Sequence, residues 1–237
     1  MCPVTCISGI DTNIGKTIAT GLMARALLSE GYSVITQKIV QTGCGGIAED
    51  ILHHRKLMRV ELFPEDKNGL TCPYVFRKPC SPHLAAGLEQ AEIDTKKITM
   101  ATQNLSASYD HVLLEGAGGL MVPLSSEITF LDYLQEKNYP VILVSGPRLG
   151  SINHTLSSLE LLKHRGIDLR GIVYNNYDAS DEKICNDTRK VFLNALMKYG
   201  YSPLIVDMLS MEKYNKTNAD MDCLQLFDTH TLFKETQ

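Results

Sequence analysis

Along the chain, short apolar runs alternate with longer stretches in which apolar residues recur at helical spacing. Residues 4–8, 32–40, 111–115, 141–145 and 169–174 read as strands, being brief runs rich in Val, Ile and Leu. Residues 16–29, 47–59, 130–138, 152–165 and 183–199 carry the helical pattern between them. Strands alternating with helices predict an α/β fold built on a mainly parallel sheet flanked by helices on both faces. Between residues 60 and 78 the periodicity fails and Pro64, Asn68, Gly69 and Pro73 accumulate, which predicts a long surface loop bordering a site. Residues 204–208 read as a last strand, residues 209–222 are mixed and polar, and residues 223–233 read as a short helix. No internal repeat or low-complexity tract is apparent.

Composition narrows this. The 237 residues, 44% of them hydrophobic, suffice for one sizeable core, so residues 1–237 are expected to form a single domain. A formal net charge of -4 leaves no global basic field for nucleic acid or an anionic membrane, so a small anionic ligand would have to be held locally. The seven cysteines form no CxxC pair and their odd count does not close into intrachain bridges, which predicts reduced thiols. The first residues lack a basic stretch followed by a long apolar run, and no later run approaches a membrane span. A cytoplasmic location, with no nucleic-acid and no membrane partner, is the expectation.

The first strand leads into Gly9-Ile10-Asp11-Thr12-Asn13-Ile14-Gly15-Lys16-Thr17, and a helix pattern starts at once. Strand, glycine loop, Lys-Thr and helix stand in the order a polyphosphate cradle needs. Amides at the helix start face the phosphates, Lys16 brings a compact positive charge, and the Thr17 hydroxyl is placed to ligate magnesium. Five residues rather than four separate Gly9 from Gly15. Nucleoside triphosphate binding follows, on a P-loop NTPase-like fold, without naming a reaction.

Two further strand ends carry chemistry. Lys38 and Thr42 close the second strand, and ligands of open α/β sheets collect beyond the carboxyl ends of strands. Glu115 ends the apolar run from His111 and is followed by Gly116, Gly118 and Gly119, which suits a magnesium ligand or a water-positioning group.

Taken in order, Gly9 to Thr17, Lys38 to Gly43, Ser81 to Ala86 (SPHLAA), Glu115 to Leu124 (EGAGGLMVPL) and Gly150 to His154 (GSINH) resemble the dethiobiotin synthetases, whose longer phosphate-loop spacing is shared. The resemblance implies an ATP-dependent enzyme. One amine of 7,8-diaminopelargonic acid takes up CO2 as a carbamate, the carbamate attacks the γ-phosphate of ATP, and the neighbouring amine closes the ureido ring with release of phosphate. It further implies that Lys16 stabilises the transferring phosphoryl group, Lys38 holds carbamate and γ-phosphate together, and Thr12 and Thr42 bond the carbamate or amine region. Asn13, Ile14, Gly15, Lys16, Thr17, Ile18, Glu115, Gly118 and Asn175 would hold the nucleotide, with Asn176 as an alternative to Asn175. Thr17, Asp50 and Glu115 would hold Mg2+, with Glu49 competing with Asp50. Substrate would meet Thr42, Ser81, Pro82 and Gly118, and, from the partner subunit of a homodimer with shared sites, Gly150, Ser151 and Asn153.

The chain departs from the family pattern at three places. Ile39 replaces the usual proline, which is expected to alter loop stiffness only; Asn13 stands where some members have glutamate; and no glycine–acidic–Ile–Pro segment follows Ser202. Other classes fit less well. Partitioning-type regulatory ATPases carry an additional lysine early in the loop, where Gly9-Ile10-Asp11 has none, and the chain is too short for the glutaminase domain of amidotransferase-type synthetases. Lys16, Thr17, Lys38 and Glu115 argue against an inactive binding homologue.

Overall fold

The computed structural model describes residues 4–177 and 181–227. In chain order these form β1 (Val4–Gly9), α1 (Lys16–Ser29), β2 (Val34–Lys38), β3 (Gln41–Thr42), α2 (Glu49–Met58), α3 (Pro64–Lys67), β4 (Val75–Phe76), α4 (Pro82–Leu88) and α5 (Thr95–Ser106). They continue with β5 (His111–Glu115), α6 (Phe130–Lys137), β6 (Val141–Ser145), α7 (Ser151–His164), β7 (Leu169–Asn175), α8 (Glu182–Tyr199), β8 (Ile205–Met208), α9 (Met211–Thr217) and a 3-10 turn, Leu224–Leu226.

Six strands make one sheet in the order β2-β5-β1-β6-β7-β8, and every pairing is parallel. The short β3 and β4 pair in parallel beside it. Every residue of β2, β5 and β6 is buried. Successive side chains of a strand point to opposite faces, so the helices cover both faces, and that is why these strands read as continuous apolar runs. Ile7, Leu22, Leu114, Phe130, Ile142 and Phe192 belong to one buried cluster running through the sheet and its helices. Among the described residues no helix is long and apolar enough to cross a membrane.

One reading of the sequence is corrected, and two helices, α5 and α9, add to it. Residues 60–78 are not wholly a surface loop: they contain the short α3 and β4, Asp66 is 3% exposed, and the Thr71 carbonyl accepts the Lys38 backbone N–H at 2.8 Å. A charged residue at a buried position hides from a search for apolar periodicity. Helix α5 escaped for a related reason, since its buried face is Ile98, Ala101, Thr102 and Leu105, half of it weakly apolar. Its start is nonetheless marked, with the Asp94 carboxylate accepting the Lys96 N–H at 2.8 Å. The polar stretch 209–222 contains α9, of which Tyr214 alone is buried. Of the helix expected over 223–233, one 3-10 turn forms and residues 228–233 lie outside the described residues. Cys6, Cys44, Cys72, Cys80, Cys185 and Cys223 are free thiols, and Cys2 lies outside the described residues.

Candidate active site

β1 and α1 are joined by a tight loop whose backbone dictates its residues. Gly15 has φ 102°, and a Cβ there would stand 2.6 Å from Asn175 Nδ2, so a side chain is excluded both by conformation and by space. Asn13 adopts φ 58°, a left-handed conformation that Asn tolerates better than most residues. At the head of α1, Lys16 Nζ donates to the Asp11 carbonyl at 2.8 Å. Burial, then the like charge of Lys38, pulls the Lys16 ammonium down from 10.5 to about 8. Asp11 is itself paired with Arg148.

β2 and β5 pair so that their last residues, Lys38 and Glu115, lie side by side. Lys38 Nζ is 2.7 Å from Glu115 Oε1, 2.7 Å from Asp50 Oδ2 and 3.0 Å from the Gly116 carbonyl. Thr17 Oγ1 donates to the same Glu115 Oε1 at 3.1 Å. Burial opposes the charge on both partners of this pair, and their mutual attraction overrides it: Lys38 is raised above the ordinary lysine range and Glu115 lowered below the carboxylate range. Of the two acidic residues opening α2, Glu49 is exposed while Asp50 reaches Lys38.

These groups border one cleft of about 800 Å³, which brings together Thr12, Asn13, Gly15, Lys16, Thr17, Ile18, Lys38, Thr42, Asp50, Ser81, Pro82, Glu115 and Gly118. A second cleft of about 270 Å³ shares Asn13 with it and is lined by Ile14, Arg148, Asn175, Ile184 and Cys185 among others. Asn175 Nδ2 donates to the Ile14 carbonyl at 2.8 Å, tying the end of β7 to the phosphate loop. Asn176 turns away, bonding Asp207 at 2.9 Å. Ser81 precedes α4 with Pro82 in its first turn, and His83 is exposed. Gly150, Ser151 and Asn153 border neither cleft; Gly150 and Asn153 are exposed at the start of α7. Ile39 does more than change loop stiffness, because its N–H donates to the Glu115 carbonyl at 3.1 Å, a bond proline lacks.

Sequence reasoning missed what stands behind Glu115. His54 Nε2 is 2.7 Å from Glu115 Oε2, both side chains being fully buried. Arg55 forms a two-bonded pair with Asp66, 2.8 Å at each contact. No motif marks these residues. The available signal was Thr36, a polar residue inside an apolar run.

Comparison with known proteins decides the family. A family described as AAA domain matches residues 5–209. A protein of Pasteurella multocida (strain Pm70) named ATP-dependent dethiobiotin synthetase BioD 2 is 54% identical over 213 residues, spanning 89% of this chain and 100% of its own. The chain belongs to the dethiobiotin synthetase family. Two more dethiobiotin synthetases agree. That of Chlorobaculum tepidum (strain ATCC 49652 / DSM 12025 / NBRC 103806 / TLS) is 56% identical over 84% of this chain and 83% of its own. The BioD 2 of Haemophilus influenzae (strain ATCC 51907 / DSM 11121 / KW20 / Rd) is 58% identical over 74% and 92%. A ParA family ATPase structure from Chlorobium tepidum TLS superposes with a TM-score of 0.53 over 91% of this chain and 86% of that one at 15% identity, a likeness of fold alone. In this member of the dethiobiotin synthetase family, Asp50 Oδ2 and Glu115 Oε1 lie against the Lys38 ammonium and Thr17 Oγ1 against Glu115 Oε1, hard oxygen donors of the kind that suits magnesium.

Proposed function

We propose that this chain converts 7,8-diaminopelargonic acid, CO2 and ATP into dethiobiotin, ADP and phosphate, through a carbamate and a carbamic–phosphoric anhydride. The observation that carries the reading is the single cleft around which Lys16, Lys38, Thr17, Asp50 and Glu115 are grouped, in a chain 54% identical to a dethiobiotin synthetase over nearly its full length. The reaction crowds carboxylate-like and phosphate oxygens together, and Lys16 and Lys38 are the cleft's answer to that charge.

Lys16 extends from the head of α1 to the terminal phosphates, and the amides of Asn13 to Ile18 wrap the polyphosphate. Lys38 spans the carbamate and the γ-phosphate, so it neutralises charge on both reacting groups at once. Thr12 and Thr42 hydrogen-bond the carbamate end, while Ser81, Pro82 and Gly118 shape the substrate wall. Asn175 addresses the base from the smaller cleft. Magnesium held by Thr17, Asp50 and Glu115 would supply a Lewis acid that spreads the phosphate charge. The Gly150-Ser151-Ile152-Asn153 turn, in which Gly150, Ile152 and Asn153 are exposed and Ser151 is buried, lies outside both clefts of its own chain and supports a homodimer in which this turn binds the distal carboxylate of substrate in the partner's site. A cytoplasmic enzyme is the accompanying reading.

The test is phosphate release from ATP with magnesium and bicarbonate, with and without the diamine, alongside dethiobiotin by mass. One phosphate per dethiobiotin, dependent on the diamine, is expected. Release indifferent to the diamine would move the chain to the regulatory ATPases that share its fold.

A further inference from the structure

Behind the cleft lies a chain of buried polar groups that the steps above do not use. His54 stands on α2 four residues after Asp50 and has no exposure. Its Nε2 is 2.7 Å from Glu115 Oε2 and its Nδ1 is 3.0 Å from Thr36 Oγ1. Thr36 Oγ1 also receives Arg55 Nη1 at 2.7 Å. Arg55 in turn is locked on Asp66, whose oxygens also accept Thr71 Oγ1 at 2.8 Å and the Phe63 N–H at 2.9 Å.

Counting donors and acceptors fixes the last link of this chain. A guanidinium only donates, so Thr36 oxygen accepts from Arg55 and keeps one proton to give. Either that proton goes to His54 Nδ1, or Nδ1 is itself protonated and the Thr36 oxygen accepts a second time; in both cases Nε2 carries a proton aimed at Glu115. An ionised carboxylate only accepts, so the last link closes. The opposite neutral tautomer would set two lone pairs against each other at 2.7 Å. His54 Nε2 therefore donates to Glu115 whichever way the Thr36–Nδ1 bond runs, and every group from Arg55 to Glu115 is bonded in a buried site.

The two oxygens of Glu115 are thereby divided. Oε2 is bound by the fold, whereas Oε1 takes Thr17 and Lys38 at the cleft. We infer that His54 is a positioning residue: by clamping Oε2 it fixes the rotation of the Glu115 carboxylate and presents Oε1 alone to the metal–triphosphate and to Lys38. This deepens the proposed function and rests on its assignment of Glu115 as a metal ligand. Groups that orient a metal-binding side chain typically carry tenfold to hundredfold of the metal affinity.

The test uses Mn2+ as a paramagnetic probe, titrated into the full-length chain with a non-hydrolysable ATP analogue and no diamine. For His54→Leu the expected result is a folded protein that binds Mn2+ about tenfold to a hundredfold more weakly than wild type. His54→Gln, with an amide N–H toward Glu115 and an oxygen toward Thr36, should stay within about fivefold. Wild-type affinity in folded His54→Leu, or equal weakness in both variants, would overturn the inference. Should His54→Leu not fold, Thr36→Val decides in its place: several-fold weaker binding supports the relay and unchanged binding overturns it. Dethiobiotin formation by the wild-type preparation reports separately on the reaction, so a chain that binds Mn2+ through His54 but makes no dethiobiotin sinks the proposed function and leaves the positioning role intact.

Discussion

Lys16 and Arg55 are both buried cations, 6% and 2% exposed, and the fold treats them in opposite ways. Arg55 is saturated: two bonds to Asp66, one to the Thr36 hydroxyl, one to the Thr36 carbonyl at 3.3 Å, and the Phe63 ring 4.8 Å away. Lys16 has one bond, to the Asp11 carbonyl, among the described residues. After burial, the largest influence on it is the like charge of Lys38, and together they bring its pKa down to about 8. A cation whose partners are all supplied by the chain serves the scaffold. A cation left short of partners at the edge of a cleft is reserved for a ligand, and such a site is stabilised only when the ligand arrives.

Breaking the saturated side should have the largest effect. Asp66→Ala strands a buried guanidinium and is expected to lower stability by about 3–5 kcal/mol, read from the urea midpoint and slope. Loss below 1 kcal/mol would mean that Arg55 finds other partners and that the pair is dispensable. The same carboxylate gives a smaller, pH-dependent effect. Burial works against the Asp66 charge, but Arg55, Thr71 and the Phe63 amide outweigh it and hold its pKa below the usual value. A carboxyl lowered by folding contributes stability present above its unfolded pKa and lost as pH falls through the folded one. Wild-type stability should thus drop as pH is lowered below about 4, and Asp66→Ala should drop less over the same interval. Smallest in amplitude is the effect of mixing a Lys16→Gln chain with an Asn153→Ala chain. If sites are shared between subunits, half of the randomly mixed dimers hold one intact site of two, and roughly a quarter of wild-type activity returns. No recovery after confirmed subunit exchange would place each site within one chain.

The two sides of this comparison differ in how far the sequence reveals them. Lys16 and Thr17 were legible because a phosphate cradle needs glycine, lysine and hydroxyl at set positions in a continuous segment. Lys38 and Glu115 were legible as charged ends of apolar strands, and their adjacency needed only parallel pairing. Arg55, Asp66 and His54 were not, because their meaning lies in contacts between α2, the 60–78 segment and β2, where a buried charge looks like a surface one until its partner is known. The same blindness turned 60–78 into a loop. Helix α5 was lost through Ala101 and Thr102, small and polar residues on a buried face. Strand ends were read closely where a glycine or a charge stops the run, as at Glu115, and loosely at 32–40, where pairing in the main sheet ends at Lys38 while Ile39 and Val40 stay buried.

The most direct test of the division between the two cations is one variant measured twice, Lys16→Gln for dethiobiotin turnover and for its urea midpoint. Folding disfavours the Lys16 charge, since its folded pKa of about 8 lies below the ordinary lysine value of 10.5, so a neutral side chain of similar length removes a cost at neutral pH. Turnover at least about a hundredfold below wild type, with a midpoint equal to or above it, is the predicted result. A fall in midpoint with turnover preserved would show Lys16 to be a structural cation like Arg55, and the account would be contradicted.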